Sequence, residues 1–307
     1  MKTSIVLTTY NGAKYIIDQL ESIYNQTYHL DEVLIFDDGS TDNTPELVRK
    51  FINDNNLVDW QFTVNHKNKG WRRNFMDGLC VARGNIVFLA DQDDVWRPEK
   101  IEQMSRAMEE DDKIQLLVSE YQAFYDNDLP DVVDKKDVVP VKIRVYPNIF
   151  NVLYPGCTYC ARRELIHEAS RFWTEDTAHD ELLWRIALFN DTLYMYPRKL
   201  IYWRRHKNSS WTLEGVRNKN LEARIRWTVF AKGQVDIIQE FLINNNKMTA
   251  EKEQILIRNA KWVRLREELL KEKNVAAVFK LLFYLKYYNS FKQYLGDIYL
   301  TFVKSSE

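Results

Sequence analysis

The sequence predicts an α/β protein, a mostly parallel central sheet with helices on both faces, followed by a helical C-terminal region. Two observations predict it. Over the first hundred residues short apolar strands alternate with segments of helical period, and three of those strands end in polar clusters. From Leu213 onward almost every segment has helical period and proline is absent.

Ser4–Leu7 reads as the first strand, and Ile16, Leu20 and Ile23 recur on one face of the helix after it. Val33–Phe36 is the second strand and runs into Asp37-Asp38-Gly39-Ser40. Thr44 is expected to cap the next helix, with Pro45 at the first helical position, where its missing N–H costs nothing. Gln61–Val64 is the third strand, and Phe75, Leu79 and Ala82 mark a helix expected to close at Gly84. Ile86–Ala90 is the fourth, continuing into Asp91-Gln92-Asp93-Asp94. Strands this apolar are covered on both faces, as parallel strands are. After Glu120 the pattern loosens, and residues 126–140 read as a loop. Strands near Thr158–Ala161, Leu193–Tyr196 and Leu200–Trp203 flank a helix from about Asp180 to Leu188. The boundary falls near residue 212, giving an α/β domain over 1–212 and a helical region over 213–307.

Composition narrows the function classes. A net charge of −1 gives no global reason for a nucleic-acid partner. The charge is uneven: residues 221–307 hold 15 Lys and Arg against 10 Asp and Glu, which is +5 and leaves −6 for the rest. An acidic first part suits a cation. Cys80, Cys157 and Cys160 are too few for a disulfide framework and fit a reducing compartment. The N-terminus lacks the apolar core of a signal peptide, and no stretch is long enough to span a bilayer. The protein is expected in the cytoplasm.

Ligands of such sheets bind beyond the carboxyl ends of the strands, where Thr8–Asn11, Asp37–Asp38 and Asp91–Asp94 fall. Asp91 and Asp93 alternate at a strand end and can share one hard cation, Mg²⁺ or Mn²⁺, together with diphosphate oxygens. Capping the helix near Pro98 is the plainer use, but that needs one acid, not three. A carboxylate at Asp38 can accept the N3–H of uracil or thymine, and the competing use is an Asx turn. His179-Asp180 opens a helix, where a carboxylate suits the dipole. Asp180 can equally deprotonate an acceptor alcohol as general base, and a single such carboxylate opposite the leaving group predicts inversion.

In this order the clusters resemble the family 2 glycosyltransferases of GT-A fold, over roughly residues 1–210. The resemblance rests on Thr8-Thr9-Tyr10-Asn11-Gly12, Gln26-Thr27, Asp37 to Asp42, Asn68-Lys69-Gly70, Ala90 to Trp96, Gly156-Cys157-Thr158, His179-Asp180 and Arg204-Arg205-His206. It implies that Thr8, Tyr10 and Asn11 hold the nucleoside, that Asp38 reads the base, and that Asp91 and Asp93 flank metal and donor diphosphate, with Asp93 the direct ligand. It also implies that Asp180 is the catalytic base, that His206 stands near the diphosphate or metal, and that Gly156, Trp96, His179 and Arg204 belong to the acceptor and donor pocket. The motif string is most similar to bacterial polysaccharide rhamnosyltransferases. That implies a UDP- or dTDP-sugar donor, rhamnose among the candidates, and a glycan or lipid-linked saccharide acceptor at the inner face of the membrane. Glu181 and Arg205 depart from the family pattern, which bears on the sugar.

Cys157 and Cys160 have metal or redox spacing but no second pair, so a structural role is expected. Trp71-Arg72-Arg73 reads as a helix start with a solvated face. Val275–Tyr288, apolar and aromatic with Lys280 and Lys286, fits an anionic membrane surface. Packing on the catalytic domain, or on a second subunit of a homodimer, fits it equally. Two rival functions remain. A sugar nucleotidyltransferase would need a Gly-rich basic first loop where Thr8–Gly12 stands, and a non-catalytic nucleotide- or glycan-binding module would not need Asp91, Asp93 and Asp180 together. A dehydrogenase lacks its Gly-x-Gly-x-x-Gly after the first strand.

Overall fold

A computed structural model describes residues 1–125, 129–132, 138–206 and 220–304. The chain divides into two compact units, residues 1–144 with 153–205, and residues 145–152 with 206–307. The boundary read from the sequence, near residue 212, lies outside the described residues.

The first unit is built on a sheet of nine strands among the described residues. Its parallel half comprises β1 (Thr3–Thr9), β2 (Glu32–Asp37), β3 (Trp60–Val64) and β4 (Ile86–Asp91), in the order β3-β2-β1-β4. β1 is central and wholly buried, which is why it reads as unbroken apolar sequence from Ile5 to Leu7. Beyond β4 the sheet becomes mixed. β8 (Tyr159–Arg162) pairs antiparallel with both β4 and β6 (Leu116–Phe124), and β6 runs parallel to β9 (Leu193–Arg204). β5 (Val95–Trp96) and β7 (Val141–Lys142) pair antiparallel with β9.

The two strands expected around Leu193 and Leu200 are one. The register of β9 against β6 jumps between Tyr196 and Lys199, so Pro197 falls in a bulge, where no N–H is required of it. β6 extends past Glu120, where the pattern loosens because the register shifts there and residues 120–123 are only partly buried.

Helices cover the sheet: α1 (Ile16–Tyr24), α2 (Thr44–Asp54), α3 (Trp71–Val81), α4 (Lys100–Glu110), α5 (Arg163–Ser170) and α6 (His179–Phe189). Thr44 is the first residue of α2 rather than its cap, and Asn43 is the cap residue. The Thr44 hydroxyl donates to Asp42 and accepts from the Gly12 N–H, so it ties the β1 loop to the β2 loop instead. Gly84 does not close α3, which ends at Val81 before an extended Ala82. A Cβ at Gly84 would lie 2.5 Å from the Ser4 nitrogen, so glycine is there for close approach to β1.

The second unit consists of α7 (Leu221–Asn244), α8 (Ala250–Glu272), α9 (Val275–Leu281), a 3-10 segment over Leu282–Tyr287, and α10 (Phe291–Phe302). Each α-helix starts on a capping side chain: Asn220, Thr249, Asn274 and Ser290 accept from the N–H groups of Ala223, Lys252, Ala276 and Gln293. Its core gathers Trp262, Leu269, Leu281, Tyr287 and Tyr288. Within it the buried Asp297 carboxylate accepts from Arg266 at 2.8 Å and Arg224 at 2.5 Å. No helix of the described residues is long and apolar enough to cross a membrane.

Candidate active site

The strand register aligns the polar clusters. Thr8 stands opposite Asp91 on β4 and Phe36 on β2, and Thr9 stands opposite Asp37. Three β-strands therefore release their loops at one rim, and hydrogen bonds tie those loops together. The Gln92 side chain makes a two-way amide pair with the Tyr10 backbone, accepting at 2.8 Å and donating at 3.0 Å. Asn11 accepts from the Thr41 N–H, and its own N–H donates to Ser40. Asp37 accepts from Thr9, from the Ser40 hydroxyl and from the Ser40 N–H.

The residues expected at the nucleoside are at this rim. Tyr10 is 45% exposed, while Thr8 is nearly buried. Asp38 is buried and accepts from Asn65, the Lys69 N–H and the Gly70 N–H, which fixes the turn into α3.

Four carboxylates crowd the adjoining space. Asp91 and Asp94 lie with the Cys157 thiol so that their ligating atoms are all within 4.8 Å of one another. Desolvation, reinforced by the charges of Asp93 and Asp180, pushes the Asp91 carboxyl up to about 7. Asp94 is fully buried, and desolvation followed by the charges of Asp93 and Asp91 raises it well above the ordinary value. One of its oxygens accepts from the Arg204 N–H at 3.0 Å, whereas Oδ2 is enclosed without a donor. Cys157 is raised for the same reasons, burial first and then the two acids. The buried cation nearby is Lys100, whose Nζ donates to the Cys157 carbonyl at 2.8 Å and stands 3.7 Å from the Trp96 ring centroid. Desolvation lowers its ammonium to about 8.

Asp180 enters from the first turn of α6. The backbone of Gly156 supports it: a Cβ on Gly156 would come within 2.9 Å of the Asp180 Cβ, so only glycine permits this approach. Burial raises its carboxyl, against hydrogen bonds from the backbone and the charge of Arg185. Glu181, the departure from the family pattern, is paired with Arg185 at 2.7 Å.

Arg204 ties the acidic turn in place. Its Nε donates to the Asp93 carbonyl at 2.8 Å, its N–H donates to Asp94, and its Nη2 meets Asp18 of α1 at 2.7 Å. Tyr15 and Phe124 offer their ring faces to the guanidinium. Arg204, Trp96 and His179 are core residues, at 3%, 2% and 3% exposure. The His179 ring stacks on Phe75 at 4.0 Å, and desolvation holds it neutral, down to about 3. The side chains of these three are thus almost wholly enclosed by protein. His206 belongs to the second unit.

Sequence reasoning placed Asp94 in the acidic cluster without giving it a role, and it missed Lys100, Asp18 and the position of Cys157. Lys100 and Asp18 lie on helices and belong to no motif, and only tertiary structure carries them to the site.

Carboxylates from separate strand ends and a helix start, gathered at the carboxyl rim of an α/β sheet, are the arrangement of the GT-A class. The chain belongs to glycosyl transferase family 2, whose sequence profile matches residues 4–169, and it is accordingly a transferase enzyme. It is 31% identical to glycosyltransferase GlyG of Streptococcus pneumoniae serotype 4 over 217 residues, which is 64% of this chain and 70% of that protein. It is 26% identical to dTDP-rhamnosyl transferase RfbG of Shigella flexneri over 215 residues, 66% of this chain and 72% of that one. The crystal structure of Staphylococcus aureus TarS 1–349 in complex with UDP-GlcNAc superposes with a TM-score of 0.62 at 19% identity, covering 97% of this chain and 82% of that one. This likeness shows the fold. The match to TarS, a poly(ribitol-phosphate) beta-N-acetylglucosaminyltransferase, spans only 36% of the whole TarS protein.

Proposed function

We propose that the rim binds a nucleoside-diphosphate sugar with a divalent cation, and that Asp180 takes the proton of an acceptor hydroxyl as it displaces the nucleotide with inversion. The observation carrying this reading is the convergence of Asp91, Asp93, Asp94 and Asp180, with the buried Lys100 set against Asp91 and Asp94 and Arg185 against Asp180. Such crowding is costly for a purely structural purpose and is relieved by a cation.

The residues fit a hard ion: Asp94 has an enclosed oxygen without a donor, and burial together with the charges of Asp93 and Asp180 keeps Asp91 protonated up to about 7. Asp93 and Asp91 would hold it. When bound, Mg²⁺ or Mn²⁺ supplies the positive charge that stabilises a departing nucleoside diphosphate. Thr8, Tyr10 and Asn11 would position the nucleoside, and Asp38, whose carboxylate already accepts from Asn65, Lys69 and Gly70, would shape the base pocket by holding the turn into α3. Asp180 is a stronger base for its raised carboxyl, and the Gly156 contact holds it in place. The donor is proposed to be a UDP- or dTDP-sugar, with rhamnose a candidate because of the likeness to RfbG. The acceptor is proposed to be a hydroxyl of a growing or lipid-linked glycan.

Nucleotide sugars screened with Mn²⁺ should include one that raises the thermal midpoint, since a ligand that binds only the folded state stabilises it by mass action. With that donor, Asp180→Asn should retain the shift yet lower kcat by about 10²–10⁴-fold, the range for a lost general base. Near-normal turnover of the variant removes Asp180 from the mechanism.

A further inference from the structure

The aromatic residues of the C-terminal segment face two ways. Tyr287 and Tyr288 are buried beside Trp262. Val275, Phe279, Leu282 and Phe283 stand outside, Phe279 at 64% and Phe283 at 86% exposure. Their spacing places them on one stripe of a helical surface, even though the helix tightens to 3-10 from Leu282. Isolated exposed apolar residues need no explanation, but a contiguous stripe marks a contact surface.

Charge on the same segment has one sign. From Lys273 to Gly296 the chain carries Lys273, Lys280, Lys286 and Lys292 and no Asp or Glu. Lys280, Lys286 and Lys292 are all exposed. A second copy of this surface would set lysine against lysine. Anionic headgroups match both features, because they attract the ammonium groups while the acyl boundary accepts the phenyl rings. Lysine stems can lie along that boundary with their charges in the headgroup layer.

We propose that the Val275–Phe283 stripe, with its flanking lysines, docks the protein peripherally on an anionic lipid surface. Docking is separate from the transfer chemistry, so it can fail without harm to that reading, and the converse also holds. The test is co-sedimentation of the full chain with phosphatidylcholine vesicles and with mixed phosphatidylcholine–phosphatidylglycerol vesicles. The protein should pellet only with the anionic vesicles, and less so in high salt. Phe279→Ser with Phe283→Ser should abolish pelleting at an unchanged thermal midpoint. Lys280→Glu with Lys286→Glu should weaken partitioning about 30-fold or more, given the usual contribution of each lysine near a charged surface. Wild-type protein that stays in the supernatant overturns the proposal, as does pelleting that neither variant changes. A dimer seen by light scattering, dissolved by the Phe variant and indifferent to vesicles, overturns it too and assigns the stripe to a second copy.

Discussion

Asp91 shows most directly what it costs to gather these side chains. In the native apo protein its carboxyl keeps its proton up to about 7, whereas in the unfolded chain it releases it near 3.8. Folding therefore takes up a proton between those values. The associated stability is fully present below about pH 3.8 and is lost as pH rises through about 7. His179 acts in the opposite sense. Its folded value of about 3 lies below the ordinary 6.5, so stability rises with pH across that interval. The two contributions oppose each other in the wild type, and a variant separates them. In metal-free buffer, Asp91→Asn should gain thermal midpoint relative to wild type as pH climbs from about 4 to about 7. A midpoint difference that is flat with pH would mean that Asp91 is not under this pressure. The sequence revealed the acids but not the full pressure on them, which comes from burial, then from Asp93 two residues on, then from Asp180, 89 positions away in the chain.

Elements differ in how much they disclose. β1, β2 and β4 were legible because each is an apolar run ending abruptly in polar residues, and the parallel register carries those ends to one rim. α6 was legible from its apolar run after His179-Asp180. The capping residues of α7 to α10 follow the local chemistry of Asn, Ser and Thr. The Arg204 brace was not legible, because its hydrogen bonds join the end of β9 to the turn after β4 and to α1, across more than a hundred residues. Local periodicity contains no trace of such a link. The same is true of the bulge that lets β9 run through Pro197. If the brace positions the acidic turn, Arg204→Met should cost about 1–3 kcal/mol in thermal or denaturant unfolding, the usual penalty for stranding buried hydrogen-bond groups. It should also raise KM for the donor more than it lowers kcat. Arg204→Lys should recover only part of this, since one ammonium cannot reach the Asp93 carbonyl and Asp18 in a fixed fork. Wild-type stability together with wild-type KM in Arg204→Met would refute the brace.

At the scale of the whole molecule the two units follow different rules. The first is organised around a sheet whose loops converge, and its chemistry lies at that convergence. The second is helical, and the Asp297 carboxylate at its centre is matched by Arg224 and Arg266 among aromatic rings. A buried acid paired in this way is satisfied and calls for no ligand. The acids of the first unit are not so satisfied: Asp94 has an oxygen without a donor, and the charge of the buried Lys100 bears on Asp91, Asp94 and Cys157 together. That contrast is why the acidic rim, and not the Asp297 cluster, is proposed to take a metal and a diphosphate. The measurement that bears on this most directly is titration calorimetry with UDP and dTDP, with Mn²⁺ and with chelator, on wild type and Asp93→Ala. At least one nucleotide should bind wild type only when the ion is present, and Asp93→Ala should weaken that binding tenfold or more, about 1.4 kcal/mol. Tight nucleotide binding in chelator, unchanged by Asp93→Ala, would contradict the account.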